Sequence, residues 1–378
     1  MPVPDLLPFF LELLALPSPP GEERAVADRV RGYLDALGIE STEDDAGPRI
    51  GGNTGNVVAR LPASAGAQGT PIFLCAHLDT VPPTAAIEPV VEDGVVRNAQ
   101  PTILGADNKA AVVVMLEAVR RVVSEGRPHA GIDLVFTPKE ETGLEGAKQL
   151  DLERVDAPVG FVYDHAGPLG EIVAAAPAST SVDALFTGRA AHAGMHPEEG
   201  RSAVYAAARA ISDLRLGRID AETTANVGRV DGGTARNIVP ESCTLVAEAR
   251  SRDEAKLRDL VREMVESLTY AAALAECEVE ITLEDEYDAY RFRPDDLVYR
   301  IAASALRACG FDPRGIDAGG AADANVFNGA GRPCVTLANG MARIHSAEEH
   351  IAVADLEAMV DVTLALIDEA ARTPRHEP

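Results

Sequence analysis

Ala76-His77-Leu78-Asp79-Thr80 closes a short continuous apolar run at 72–76. Four later segments share its character: Gly105-Ala106-Asp107-Asn108-Lys109, Glu140-Glu141-Thr142-Gly143, Tyr163-Asp164 and Ile344-His345-Ser346. An apolar run without polar alternation reads as a strand buried on both faces, as in a parallel sheet covered by helices. Comparable runs occur at 132–136, 159–163 and 333–337, and helical patterns at 107–123, 296–309 and 354–371. This alternation predicts an α/β fold with helices on both sheet faces. In such folds functional loops gather beyond the carboxyl ends of the strands.

The pattern changes in the middle of the chain. Segments 179–187, 224–230, 243–250 and 279–283 read as strands, and helices are predicted at 200–216 and 252–275. The 200–216 helix carries a small-residue face of Ala203, Ala206, Ala207 and Ala210. Alternating strands with helices on one side indicate a smaller α+β module with one wet sheet face. A metal site joining His77 to His345 requires the chain to return after this module. The simplest topology is a catalytic domain of residues 1–176 and 288–378 interrupted by an insert at 177–287, with substrate bound in the crevice between them. A chain of 378 residues is long enough for two cores. Nearer the start, 6–16 reads as an amphipathic helix and 22–37 as a helix with acidic residues in its first turn, stopped by Gly38. Segment 90–97 reads as a hairpin turning at Asp93-Gly94.

Sixty acidic against 34 basic residues give a formal charge of −26. That field repels phosphate backbones and argues against nucleic acid as a partner. No run reaches the about 18 apolar residues of a membrane span, and no basic leader precedes the first helix. The five cysteines, Cys75, Cys243, Cys277, Cys309 and Cys334, are odd in number and form no C-x-x-C pair. They read as reduced thiols of a cytoplasmic protein.

Residues two apart on an extended chain share a side, so His77 can bind a metal while Asp79 fixes its ring. Asp107 opens a helix and reads either as an N-cap or as a carboxylate bridging two cations about 3.5–4 Å apart. Adjacent Glu140 and Glu141 repel unless a cation or a shared proton separates them. One of them can bind metal and the other can hold the attacking water as general base. Asp164 and His345 have ordinary turn and loop readings, but both fall where functional loops are expected. Histidine with carboxylate favours Zn²⁺, with Mn²⁺ or Co²⁺ as substitutes.

Taken together with Pro17-Ser-Pro-Pro-Gly-Glu-Glu23 and Gly319-Gly-Ala-Ala-Asp-Ala-Asn325, these ordered motifs resemble the co-catalytic zinc family of peptidase T, carboxypeptidases and aminoacylases. The resemblance spans nearly the whole chain and looks closest to the peptidase T branch. It implies a zinc-exopeptidase-like catalytic domain with a lid and dimerisation insert, and a homodimer formed through that insert. By the resemblance, two Zn²⁺ would be held by His77 and Asp164 on one ion and Glu141 and His345 on the other, with Asp107 between them. Glu140 would be the general base and Asp79 the aspartate behind His77. His192, in Gly188-Arg-Ala-Ala-His-Ala-Gly194, matches a histidine that reaches a substrate carbonyl. Asn237 matches a substrate-contacting asparagine, and Arg236 is a candidate partner for a substrate carboxylate. Two departures, Asn108 for a frequent aspartate and Ala111 for a frequent glycine, remove no ligand. His165 after Asp164 is unusual and is given no role.

The expected activity is two-metal hydrolysis of an amide bond, most simply aminopeptidase action on short peptides. N-acyl amino acid deacylase and carboxypeptidase activity are the alternatives on the same centre. A metal-binding assembly protein without catalysis is the remote one, disfavoured by the intact Glu140-Glu141 pair.

Overall fold

Strand Ile72–His77 is buried at every position. It lies between Ile132–Thr137 and Val159–His165, parallel to both. Val159–His165 runs parallel in turn to Cys334–Ala338. These four parallel strands are the centre of a nine-stranded mixed sheet, with Val57–Leu61 antiparallel to Ile132–Thr137 and Glu171–Ala176 antiparallel to Cys334–Ala338. The structure is a computed structural model and describes residues 3–375.

Alternate side chains of each central strand enter different layers. Ile72, Leu74 and Ala76 join the main core with Phe161, Leu337 and the helix Ala106–Glu125. Helices Leu6–Leu14, Leu297–Ala308 and Val353–Arg372 contribute to that same core. Phe73, of the opposite parity, packs against Phe327 of helix Asp323–Gly329 at 4.8 Å between ring centroids. Gly160 makes this possible, because a Cβ there would lie 2.0 Å from the Phe73 ring. Both sheet faces are therefore covered, which is why these strands carry no polar alternation.

The chain folds into two compact units: the first runs to Ala174 and includes Arg291–Ala318 and the chain from Ala322, and the second is Ala175–Tyr290 with Gly319–Ala321. The second unit holds a five-stranded antiparallel sheet, in the order Gly217–Arg218, Thr223–Gly232, Ser242–Ser251, Ala178–Thr187, Glu278–Tyr287. Along Ser242–Ser251 exposed and buried residues alternate strictly as far as Ala247. The buried set packs on helices Ala203–Asp213 and Glu254–Leu274. Ala203, Ala206, Ala207 and Ala210 are all fully buried in this core. The small-residue face is thus consumed inside its own unit and offers nothing to a second copy.

Two local readings are corrected and one strand is added. The helix predicted at 22–37 begins at Arg24 and has no acidic residue in its first turn. Glu23 is instead fully buried, with Oε1 accepting the N–H groups of Gly21 at 2.7 Å and Lys139 at 3.1 Å. The helix predicted at 200–216 spans only Ala203–Asp213. Arg201 is tied in an extended bridge to Arg189, and the Ser202 side chain caps the first turn through the Tyr205 N–H at 3.2 Å. Glu171–Ala176 is a strand that sequence periodicity does not predict, because an alanine-rich run has no clear period.

Candidate metal centre

His77 is the last residue of its strand and is 2% exposed. Its Nδ1 lies 2.9 Å from the Asp79 carbonyl oxygen and 3.3 Å from Asp79 Oδ1. A proton on Nδ1 therefore has acceptors, and Nε2 is left as a ligand atom. Nε2 faces Asp107 Oδ1 at 3.2 Å and Asp164 Oδ1 at 3.4 Å.

The Asp107 carboxylate is shared. Its Oδ1 faces His77, while Oδ2 lies 3.3 Å from His345 Nε2. His345 Nε2 is also 3.0 Å from Glu141 Oε1. The Asp107 carboxylate makes its contacts with His77 and His345 and not with backbone N–H groups of the helix it opens. Three overlapping groups result: His77, Asp107 and Asp164; Asp107, Glu141 and His345; and His77, Glu140 and Glu141, with ligand atoms within 4.8 Å of one another in each. Asn108 donates from Nδ2 to Asp164 Oδ1 at 3.2 Å and so orients that carboxylate.

The electrostatics fit divalent cations. Burial pushes the Glu140 carboxyl well up, and the nearby Asp164 charge adds to it. Burial raises Asp164 to about 7 despite the opposing pull of His77. Burial also opposes the Asp107 charge, but hydrogen bonds from His345 and His77 outweigh it and hold this carboxyl well below its usual range. His77 is raised although burial disfavours its cation, because Asp164, Asp107 and Asp79 surround it. Carboxylates converging on two imidazoles, His77 buried and His345 with its side chain 48% exposed, form a donor set that a pair of divalent ions would neutralise.

Asp79 has a second task that the sequence does not reveal. Its Oδ1 and Oδ2 accept the backbone N–H groups of Glu140 and Glu141 at 3.0 and 3.1 Å. Glu23 takes the preceding N–H, that of Lys139. Two buried carboxylates thus hold three successive amides of the loop that presents Glu140 and Glu141. Lys139 sits at φ 54° and His345 at φ 61°, a conformation a non-glycine residue keeps only when its surroundings impose it. Asp323 is a further buried carboxylate, with Oδ2 accepting from Thr137 Oγ1 at 2.5 Å and lying 3.7 Å from Cys75 Sγ. Burial pushes it up to about 6. The signal for Glu23 and Asp323 was present in the segments 17–23 and 319–325, but spacing alone does not separate an inward carboxylate from a turn residue.

His192, Arg236 and Asn237 belong to the second unit and are exposed. The loops carrying them are stitched together: Ala193 N–H donates to the Asn237 carbonyl and Val239 N–H to that of Ala191, both at 2.9 Å. His192 Nδ1 accepts from the N–H groups of Gly194 and Met195 at 3.2 and 3.1 Å. This places the proton of the neutral ring on Nε2, which then has a donor to offer.

The sequence profile described as peptidase family M20/M25/M40 matches residues 73–369. The uncharacterized protein YqjE of Bacillus subtilis is 38% identical over 367 residues, covering 97% of this chain and 98% of its own. Aminopeptidase PepT from Bacillus cereus superposes with a TM-score of 0.87 at 39% identity, over 97% of this chain and 98% of that one. A tripeptidase from Staphylococcus aureus superposes with a TM-score of 0.91 at 34% identity, again over 97% and 98%. Among the described residues, no helix is long and apolar enough to cross a membrane.

Proposed function

The chain belongs to the M20/M25/M40 peptidase family, and from that premise we propose that it is an aminopeptidase releasing the N-terminal residue of short peptides. The observation that carries the chemistry is the Asp107 carboxylate standing between His77 and His345, with Asp164, Glu140 and Glu141 around it. The substrate class is supported by likeness to proteins named aminopeptidase and tripeptidase.

His77 and Asp164 would hold one divalent ion, Glu141 and His345 the other, and Asp107 would be shared. The donor chemistry favours zinc. When bound, the ions supply the electrophile for the scissile carbonyl and acidify the attacking water. Glu140 takes that water's proton and returns it to the leaving nitrogen as the C–N bond breaks. Its raised pKa suits both transfers, because a desolvated carboxylate is a stronger base than a solvated one. Asp79 and Glu23 keep the Glu140 backbone in place. His192, with a proton to donate at Nε2, is the side chain we assign to the substrate carbonyl oxygen, and Asn237 is a second candidate for substrate contact.

A homodimer formed through the second unit is part of this reading. The buried alanine face does not support it, and the exposed Tyr205, Tyr270 and Leu274 are the apolar side chains that face outward from its two helices. All five cysteines are free, which fits the reducing cytoplasm we assign to the enzyme.

A second reading, carboxypeptidase or N-acyl amino acid deacylase action, is favoured by the exposed Arg236, whose guanidinium suits a free carboxylate. A panel of tripeptides with the amine free or blocked and the carboxylate free or amidated, run with metal analysis, separates the two. The aminopeptidase reading expects cleavage only where the amine is free. Full-rate cleavage of N-blocked peptides, or of N-acyl amino acids, overturns it.

A further inference from the structure

Glu349 is a buried carboxylate, 3% exposed, that no part of the mechanism above uses. Its Oε2 accepts the backbone N–H groups of Leu104 at 2.7 Å and Gly105 at 2.8 Å, and its Oε1 accepts that of Asp107 at 3.0 Å. Three amides of the loop that presents Asp107 therefore turn onto one side chain. Gly105 lets them do so at φ 80°, where a side chain would be strained.

Glu349 also belongs to the segment that presents His345. Ala342 and His350 close that segment with a reciprocal pair of backbone hydrogen bonds at 3.0 Å. Within it, the Glu349 N–H donates to the Ser346 carbonyl at 3.2 Å. His345 thus projects from a short loop tied at its base, and Glu349 sits at that base. Asp107 Oδ2 and His345 Nε2 meet at 3.3 Å, though their residues come from distant parts of the chain. Glu349 is the side chain that fastens their two loops to each other.

We propose that Glu349 is a positioning residue that sets the separation of Asp107 and His345, and so the affinity for the ion they share with Glu141. This rests on the two-metal reading above. Asp107 faces both candidate ion positions, but His77 and Asp164 are carried on strands of their own while His345 sits on the Glu349 segment itself, so weakening the Glu349 clamp acts more strongly on the His345 ion than on the His77 ion. A carboxylate that merely staples a loop would lower stability and leave both affinities alike.

The test is zinc titration of metal-stripped full-length protein by calorimetry, with the thermal midpoint of each metal-free protein measured alongside. Wild type is expected to bind two ions. Glu349→Gln keeps the volume but loses one acceptor oxygen. It is expected to bind the ion of His345 and Glu141 at least about tenfold more weakly, a larger loss than that of the ion of His77 and Asp164. Glu349→Asp, which keeps the charge but withdraws it by one methylene, is expected to weaken the same ion and serves if the glutamine variant does not fold. Wild type that takes up no pair of ions overturns the two-metal reading and this inference with it. Two tight sites in wild type, with both affinities unchanged in the variants and only the midpoint lowered, overturn the inference alone.

Discussion

Asp79 Oδ1 accepts the backbone N–H of Glu140 at 3.0 Å. The proposed general base is thereby fixed through its main chain by a carboxylate that also stands behind His77, with Asp79 Oδ1 3.3 Å from His77 Nδ1. One buried side chain couples the base to a candidate ligand, and a change there acts on both.

An amide at position 79 has a single acceptor oxygen, so Asp79→Asn leaves a Glu140 or Glu141 N–H without its partner. Stability is expected to fall by about 1–3 kcal/mol and metal affinity by about tenfold or more. Urea unfolding and zinc titration check the two effects.

Glu140→Gln removes the proton acceptor while keeping the side chain's size. Turnover is expected to drop by about 10²–10⁴-fold, with metal content and folding as in wild type. A glutamine variant with substantial activity contradicts the assignment of Glu140 as base.

Metal binding is expected to release a proton from His345. In the metal-free protein, hydrogen bonds to Asp107 and Glu141 raise this imidazole to about 10, so at neutral pH it is protonated. A histidine ligand must be neutral, and His77 is raised as well by the carboxylates around it, so apparent affinity rises with pH from neutrality toward about 10. Calorimetry in buffers of different ionisation enthalpy reads the released protons, and His345→Ala should release fewer and lose affinity for that ion.

Glu43 provides a pH test far from the centre. Hydrogen bonding to Arg24, at 2.5 Å, and to the Gly55 N–H holds its carboxyl at about 2, below the usual 4.5. A depressed carboxylate contributes stability that is full above about 4.5 and is lost as pH falls toward 2. The contribution at neutral pH is about 2–3 kcal/mol. Glu43→Gln should lower stability at pH 7 and flatten the acid limb, as unfolding at pH 3 and pH 7 would reveal. Equal pH slopes in the two proteins would count against it.

His192→Ala is expected to leave both metal affinities intact and to lower kcat by about 10²–10³-fold, the usual loss of one oxyanion donor. Unchanged kcat with a raised KM would recast His192 as a binding residue.

The candidate metal centre was largely legible in the chain because its residues follow strands whose sequence pattern is unambiguous. His77 and Asp164 close runs buried on both faces, and Glu140 and Glu141 follow shortly after a third. Parallel pairing then brings those ends to one edge of the sheet. The supporting carboxylates were not legible. Glu23, Asp323 and Glu349 look like surface acids, and burial is a property of what packs around a side chain, not of its neighbours in sequence.

By itself, the sequence determined the two-sided burial of the central strands, the wet face of the second unit's sheet and the identity of the groups able to hold metal. These follow from periodicity and side-chain chemistry, which are local. Only tertiary structure decided that Asp107 stands between His77 and His345, and that Asp79 and Glu349 hold the loops presenting Glu140 and Asp107. Such hydrogen bonds join segments far apart along the chain, and their lengths depend on packing that no local pattern encodes. Tertiary packing likewise turned the alanine face of Ala203–Asp213 inward, since a small-residue stripe fits a neighbouring sheet as readily as a second subunit.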